Sequence, residues 1–391
     1  MSSTRGLCFL AAGLTALFAV PIESFAQQTR NGASKQRVYV GTYTDGQSKG
    51  IYRFDFDAAS GEASGLTLVA EASNPSFLAF DPTRSYLYAV SEVETVKGVK
   101  GGGVTGFKVD KATGALTRLN SESTKGGGPC HLIVDAAGKN VLAANYGGGS
   151  VVVRPIGEGG TLKPASSFVQ HKGSGPNPAR QKEPHAHSVN LDAANRFVFV
   201  ADLGLDKVLV YEFNPTIGVL TPNDPPAAST APGSGPRHFA FRPDNTAAYA
   251  IDELDSTVTV FGYDKGRGTL SPVQKISTLP AGFSGTNYPA DVHVHPNGKF
   301  VYGSNRGHDS IASFQVRSNG GLTPTGHQGQ GVKNPRNFGI DLTGRFLLVA
   351  NQDGDTVEVF RIDPESGTLK PTGNSIKSPK PVCLQFAPAS N

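Results

Sequence analysis

Histidine and arginine residues recur at one place in this sequence, directly after prolines that open short apolar stretches. Five of the nine histidines follow such a proline within four residues: His131, His185, His187, His238 and His293. Arg237 occupies the same place, and Asp291 lies two residues after Pro289. Imidazole exchanges protons near neutral pH, and a guanidinium presents a planar pair of donors to oxyanions. These residue types predict acid-base chemistry on an oxygen-rich, anionic small molecule.

Two further charged residues, Glu253 and Arg306, follow the second apolar stretch of their segments. The residue before each of them is small and polar, as in the equivalent positions along the chain, and we expect it to cap backbone N–H groups in a turn. The candidate catalytic residues are His185, His187, Arg237, Glu253 and Arg306. The candidate substrate-binding residues are His131, His238, Asp291 and His293. A histidine or Glu253 would serve as general base, and the arginines would stabilise an oxyanion.

Other chemistry can be weighed on the same residues. His185 and His187 alternate on a strand and, with Asp291 and His293, have the donor types of a metal site. A water-filled channel would also collect such polar groups. We expect neither a metal nor a cofactor. Cys130 and Cys383 occupy strand starts in separate units, so we expect two free thiols rather than a disulfide.

The elements that carry these residues form a repeat. A proline opens an apolar stretch at positions 75, 129, 184, 236, 289, 335 and 381, which gives a period of about fifty residues. Each unit contains stretches of four to six apolar residues separated by Asp, Pro and Gly turns. Four short strands in such a unit form a sheet with two apolar faces, which only neighbouring copies can bury. The repeat therefore predicts an all-β protein, a seven-bladed β-propeller.

The two ends of the chain predict how the ring closes. After Pro381 only one strand remains, whereas residues 37–66 match the second to fourth strands of a unit. A blade shared between the termini removes exposed sheet edges. We therefore expect one propeller domain over residues 37–388, with no separable boundary inside it.

The first 26 residues have the pattern of a secretory signal peptide. Arg5 precedes an apolar stretch from Gly6 to Val20, and Ser24-Phe25-Ala26 has the small residues of a cleavage site. We expect residues 27–36 to be a linker and the mature protein to be periplasmic or secreted. No other stretch is apolar enough for a membrane span, so no membrane association of the mature form is expected. A net charge of +4 without a basic cluster argues against nucleic acid as a partner.

Taken together, these segments resemble a known family. The matching segments are VYVGTYT at Val38, PCH at Pro129, ANYGGGSV at Ala144, EPHAHSV at Glu183, GSGPRH at Gly233, DEL at Asp252, DVHVHP at Asp291 and SNRGHDSI at Ser304. They resemble the seven-bladed lactonases, which include propeller-type 6-phosphogluconolactonases and fungal carboxymuconate lactonising enzymes. The resemblance implies an active site at His185 or His187, Arg237, Glu253 and Arg306, the same residues that the repeat singles out.

The resemblance implies a hydrolase of carbohydrate metabolism that opens a sugar-acid lactone. The substrate would be 6-phosphogluconolactone or an unphosphorylated gluconolactone. Phosphorylated sugars occur in the cytoplasm, so a predicted export signal favours lactone hydrolysis in general over the phosphorylated substrate in particular. Two alternatives remain at this point: a non-catalytic secreted binding or scaffold propeller, and a cycloisomerase acting on a muconate-type diacid.

Overall fold

The computed structural model describes residues 1–2, 34–96 and 99–389. Seven four-stranded antiparallel sheets form the seven blades of a β-propeller, which confirms the predicted fold. The predicted signal peptide, apart from its first two residues, and linker residues 27–33 lie outside the described residues. Over the part of the chain that is described, no helix has the length and hydropathy of a membrane span.

Each blade runs from an innermost strand beside the channel to an outermost strand at the rim. From innermost to outermost, the strands of blades one to three are Leu78–Phe80, Tyr86–Ser91, Gly103–Val109 and Leu116–Ser123; Pro129–Val134, Asn140–Asn145, Ser150–Pro155 and Ser167–Gln170; and Ala186–Leu191, Phe197–Asp202, Lys207–Asn214 and Val219–Ser229. Those of blades four and five are Pro236–Phe241, Ala247–Asp252, Thr257–Asp264 and Thr269–Ser277; and Tyr288–Val294, Phe300–Arg306, Ser310–Val316 and Leu322–Gln328.

Blades six and seven complete the ring. Blade six contains Pro335–Ile340, Phe346–Asn351, Thr356–Ile362 and Leu369–Lys377, and blade seven contains Pro381–Pro388, Lys35–Thr42, Gly50–Asp57 and Glu62–Glu71. A two-stranded hairpin, Thr95–Val96 with Val99–Lys100, extends from blade one, and a short 3₁₀ turn spans Glu158–Gly160 in blade two.

The core lies between the blades rather than inside any one of them. Second strands such as Phe197–Asp202 and Ala247–Asp252 are buried along their whole length because neighbouring blades cover both faces. Phe199 of blade three stacks on Phe239 of blade four, with ring centroids 5.7 Å apart, and meets Tyr263 edge to face. Apolar side chains on both faces of each sheet therefore hold the ring together.

The hairpin between the first and second strands has a local cause in the sequence. Asp135 accepts hydrogen bonds from the backbone N–H groups of Lys139 and Asn140 at 2.6 and 2.9 Å. Asp192 and Asp341 make the same pair of contacts four and five residues ahead. The Asp side chain closes the turn by satisfying two donors that the ladder leaves unpaired.

The shared blade closes the ring as predicted. The C-terminal strand pairs antiparallel with the N-terminal one, with Val38 opposite Phe386 and Gln36 opposite Pro388. The first strand begins at Lys35, two residues before the predicted start of the propeller. Gln36 also donates to Asp341 of blade six at 2.9 Å, so the N-terminus contacts the neighbouring blade as well as its own.

Candidate active site

A β-bulge in the innermost strand presents one or two residues to the channel in six of the seven blades. The register shifts directly after the opening proline in five of them and two residues later, after Ala186, in blade three, so that the bulged residues face no partner in the second strand. The extra residues are Cys130, His187, Arg237, the pair Ala290 and Asp291, Arg336, and Val382. A bulge bends the strand and redirects its side chain. This is the structural reason why chemistry-bearing residues follow the prolines in the sequence.

Glu253 lies at the centre of a cluster of three arginines. Its Oε2 accepts from Arg237 Nε at 3.0 Å and from Arg306 Nη2 at 2.8 Å. Its Oε1 accepts from Arg180 Nη2 at 2.6 Å. Glu253 and Arg237 are buried, whereas the Arg180 side chain is one-third exposed. The arrangement joins blades four and five to the loop before blade three.

Burial and the neighbouring charges decide the ionisation of Glu253 and Arg306. Burial opposes ionisation of Glu253, but the charges of Arg306, Arg237 and Arg180 prevail and lower its pKa to about 2. Burial and the charge of Arg237 lower the pKa of Arg306 to about 9. Glu253 is therefore a carboxylate at neutral pH, bonded to arginines and to no histidine. It positions the guanidinium groups and is too weak a base to accept a proton from water.

Two guanidinium nitrogens remain available in this cluster. Arg237 Nη1 donates to the carbonyl of Ala290, and Arg306 Nε donates to the carbonyl of Tyr288 at 3.0 Å. Among the described residues, Arg237 Nη2 and Arg306 Nη1 make no hydrogen bond. Guanidinium groups whose other atoms are fixed in this way are preorganised donors for an oxyanion.

His185 is held in one orientation beside the arginine cluster. Its Nδ1 is 3.0 Å from the carbonyl oxygen of Tyr146, and its ring stacks on the Tyr146 ring with centroids 4.5 Å apart. Its backbone N–H donates to Asp202 at 2.8 Å. A carbonyl can only accept, so this contact assigns the proton to Nδ1 and leaves the Nε2 lone pair free. The Tyr146 hydroxyl accepts from Arg180 at 3.3 Å and connects His185 to Glu253.

His187 lies deeper and has a different environment. Its Nδ1 is 3.6 Å from the Cys130 sulfur, and its ring is 5.4 Å from the ring of His238. Burial and the charge of Arg237 hold its pKa well below 6.5. His187 is therefore neutral at physiological pH, and no carbonyl or carboxylate among the described residues fixes its tautomer.

The predicted substrate-binding residues form a network farther along the channel. Asp291 contacts His238 Nδ1 at 2.6 Å and His293 Nε2 at 3.0 Å, and it accepts from Asn337 at 2.6 Å. Burial lowers the pKa of His238 to about 4 although Asp291 opposes this, whereas Asp291 raises the pKa of His293 against the effect of burial. His131 stacks on Phe77, with centroids 4.1 Å apart. These four residues contact one another more than they contact the mouth.

His185, His187, Asp291 and His293, the residues weighed as possible metal ligands, do not converge on one point. Within residues 34–96 and 99–389, no three histidine, cysteine or acidic side chains are grouped as metal ligands would be. The His185 ring is held by the carbonyl of Tyr146, whereas Asp291 contacts His238 and His293. Cys130 and Cys383 are both buried free thiols, as expected.

The sequence analysis did not identify Arg180. This residue lies in the segment between the strands Ser167–Gln170 and Ala186–Leu191, which is longer than the connections between the other blades. Its approach to Glu253 depends on how that loop crosses the mouth of the channel. The length of the segment and its basic residues are the signals that could have indicated it. Arg336, at the bulge of blade six, also lies here, with its guanidinium 5.2 Å from the Tyr43 ring centroid.

Comparison with known proteins gives consistent matches over this whole region. The family described as lactonase, 7-bladed beta-propeller, matches residues 37–386. A 6-phosphogluconolactonase from Bacillus subtilis is 37% identical over 89% of this chain and 97% of its own length. One from Formosa agariphila is 35% identical over 85% of this chain and 94% of its own. A solved structure of a Pseudomonas aeruginosa periplasmic gluconolactonase is 36% identical, with a TM-score of 0.86 over 91% of this chain and 100% of that one.

Proposed function

The chain belongs to the lactonase family of seven-bladed beta-propellers and is a carboxylic ester hydrolase, and from this membership we propose that it hydrolyses a sugar-acid lactone at the arginine cluster around Glu253. One observation carries the assignment of the site. A carboxylate fixes three arginines beside a histidine whose tautomer leaves Nε2 free. That arrangement combines a proton acceptor with donors for a developing oxyanion.

In the proposed reaction His185 is the general base. Its Nε2 takes a proton from water as the water oxygen attacks the lactone carbonyl. The Tyr146 carbonyl holds Nδ1–H at 3.0 Å and stabilises the imidazolium that forms. His187 is the other candidate from the sequence, but its burial beside Arg237 makes its cationic form unfavourable.

The oxyanion of the tetrahedral intermediate would accept hydrogen bonds from Arg237 Nη2 and Arg306 Nη1. Glu253 keeps both guanidinium groups in place through contacts of 3.0 and 2.8 Å. When the intermediate collapses, the ring C–O bond breaks and the alkoxide takes the proton from His185. His185 is then neutral again, and the hydroxy acid product loses its carboxyl proton to solvent and leaves as the carboxylate.

The substrate class and the location are also part of the proposal. Relatives named 6-phosphogluconolactonase and periplasmic gluconolactonase support a gluconolactone-type ring, with or without a phosphate. The N-terminal pattern at residues 1–26 supports export to the periplasm or beyond. We therefore propose a sugar-derived lactone as the small-molecule partner.

The test is lactone hydrolysis by the purified mature protein, followed with a pH indicator above the spontaneous rate. We expect Glu253→Gln and Arg237→Ala to lower kcat/KM by about a hundredfold or more, because each disrupts donors to the oxyanion. We expect His185→Gln to lower kcat by about a hundredfold and His187→Gln to change it much less.

Glu122→Gln is the matched control, since Glu122 also pairs with a buried arginine, Arg154, at 3.0 Å but lies away from the channel. All variants should keep the parent's melting behaviour within a few degrees. Hydrolysis rates equal to those of the parent in the Glu253 and Arg237 variants would contradict the assignment of the active site. A loss confined to His187→Gln would transfer the base role to that residue.

A further inference from the structure

Arg336 is the arginine at the channel mouth that no carboxylate holds. Arg180, Arg237 and Arg306 all donate to Glu253. Among the described residues, the Arg336 guanidinium makes no hydrogen bond, and its recorded contact is with the face of the Tyr43 ring at 5.2 Å. Its donors are therefore available to a ligand.

The position of Arg336 is built into the fold. It is the extra residue at the bulge of blade six, where the register steps from Pro335 opposite Asn351 to Asn337 opposite Ala350. Arg237 is the extra residue at the same step in blade four. With Arg237, His238 and the carboxylate of Glu92, Arg336 borders a cavity of about 10 Å³, which has room for one water or one ligand oxygen.

Glu92 accepts hydrogen bonds from hydroxyl groups rather than from Arg336. Burial opposes the charge of this arginine, but Tyr43, Glu92 and Glu253 together raise its pKa. The Tyr43 hydroxyl donates to Glu92 at 3.0 Å, and the Ser76 hydroxyl also donates to it. Tyr43 thus uses its hydroxyl to hold Glu92 and its ring face to hold Arg336. A guanidinium on an aromatic face keeps its charge and its in-plane N–H donors.

The mouth carries more positive than negative charge. Four arginines face two glutamates, Glu92 and Glu253. The crowding is visible in Arg237, whose pKa is lowered by burial and then by the charge of Arg336. An anion bound between these groups would relieve the repulsion.

We propose that Arg336 is the receptor for an acidic group of the ligand, a phosphate or a carboxylate, and that it makes the site selective for anionic over neutral lactones. The inference rests on the proposed lactonase function and names a specificity-determining residue within that site. Bidentate guanidinium contacts to such groups are strong and directional, so a lysine would replace Arg336 only in part.

The experiment compares 6-phosphogluconolactone with gluconolactone, two substrates that differ in one charged group. We expect Arg336→Met to lower kcat/KM for the phosphorylated lactone by about a hundredfold, and that for the neutral lactone by less than about threefold. Arg336→Lys should give an intermediate loss on the phosphorylated lactone. Equal losses on both lactones would overturn the proposal, and so would no loss on either lactone together with unaltered binding of 6-phosphogluconate and gluconate.

Arg361→Met is the matched control. Arg361 is exposed on the third strand of the same blade and also stacks on an aromatic ring, that of Phe346, at 4.6 Å. It should leave both activities unchanged.

A binding measurement separates this inference from the proposed function. Calorimetry with 6-phosphogluconate, gluconate and inorganic phosphate uses anions that need no turnover. If Arg336→Met binds 6-phosphogluconate and phosphate more weakly but binds gluconate as the parent does, Arg336 is a phosphate receptor. If gluconate binding is weakened equally, Arg336 is a carboxylate receptor. If the chain hydrolyses no lactone but shows this Arg336-dependent binding, the lactonase proposal fails and the receptor stands. Anion binding that is unaltered in Arg336→Met, or absent from the parent, overturns the receptor.

Discussion

Asp252, the residue before Glu253, is a buried carboxyl group with incomplete hydrogen bonding. Its Oδ2 accepts from Thr257 and Thr259 at 3.0 and 2.7 Å, whereas its buried Oδ1 has no partner among the described residues. Burial raises its pKa to about 8. At the equivalent place in blade five, Asn305 donates to the carbonyl of Thr278 and accepts from its hydroxyl, both at 2.7 Å.

Asp252→Asn should therefore stabilise the protein, and more so at alkaline pH. The folded state of the parent keeps the Asp252 proton up to about pH 8, whereas the unfolded chain loses it near pH 4. The folded state binds more protons between these values, so this group makes stability fall as pH rises from about 4 to 8. Asparagine carries no such charge.

Denaturant unfolding of parent and variant at pH 5 and pH 8 measures the effect. We expect the advantage of Asp252→Asn to grow by about 1 kcal/mol or more between the two pH values, since each pKa unit corresponds to about 1.4 kcal/mol. Asp244→Asn, at an exposed turn of the same blade, is the control. A constant difference across pH would mean that Asp252 is ionised in the folded protein.

The other small polar residues at this place vary in their contacts from blade to blade. Asp202 and Asn351 accept from a backbone N–H, as the sequence predicts. The Nδ2 groups of Asn145, Asn305 and Asn351 also donate to carbonyl oxygens near the end of the preceding blade. Their role therefore includes contacts between blades, in addition to capping within one.

At the scale of the strand, one tyrosine contact joins successive blades. Tyr39, Tyr88, Tyr249 and Tyr302 lie three residues before the small polar residue near the end of a second strand. Each hydroxyl donates to a glycine carbonyl in the outer hairpin of the next blade. The distances are 2.8 to 2.9 Å. Blade three has Phe199 at the same place, so the ring packs even where the hydrogen bond is missing.

Tyr302→Phe should lower the free energy of unfolding by about 1 kcal/mol or somewhat more, because the carbonyl of Gly367 loses its donor in a buried setting. Tyr211→Phe is the control, since Tyr211 is equally buried but its hydroxyl makes no hydrogen bond in the described part of the chain. Chemical denaturation measures both. Equal losses in the two variants would show that the hydroxyl contact adds nothing to the packing of the ring.

At the scale of the molecule, closure depends on a single C-terminal strand. Pro381–Pro388 is the innermost strand of blade seven and pairs with Lys35–Thr42 over seven residue pairs. Its Leu384 and Phe386 belong to the apolar cluster between blades six and seven. Removing this strand would expose a sheet edge at the channel and the apolar side chains that Leu384 and Phe386 cover.

A chain truncated after Ser378 should therefore lose cooperative unfolding. A chain ending at Ala389 keeps the whole strand and is the control. Calorimetry or circular dichroism during heating distinguishes them, because the ring unfolds as one unit only if it is closed. A melting temperature for the shorter chain within a degree or two of the control would contradict this view of the closure.

The fold, the blade count and the closure could all be predicted from the sequence alone. Each strand pairs with the strand next to it in the chain, so a local pattern repeated about every fifty residues defines every blade except the shared one. The shared blade followed from the missing strands at the two ends. The sequence also placed His187, Arg237 and Asp291 at the channel, because a residue within three positions of the opening proline lies in the bulge of these blades.

Which of these side chains meet depends on the tertiary structure. Glu253, one of the candidates for general base, binds three arginines, one of them from a loop 73 residues away. Asp291, one of the candidate substrate-binding residues, joins His238 of blade four to Asn337 of blade six. Contacts across the channel depend on the angle between blades and on the path of irregular loops. Neither is encoded in the local periodicity that identifies a strand.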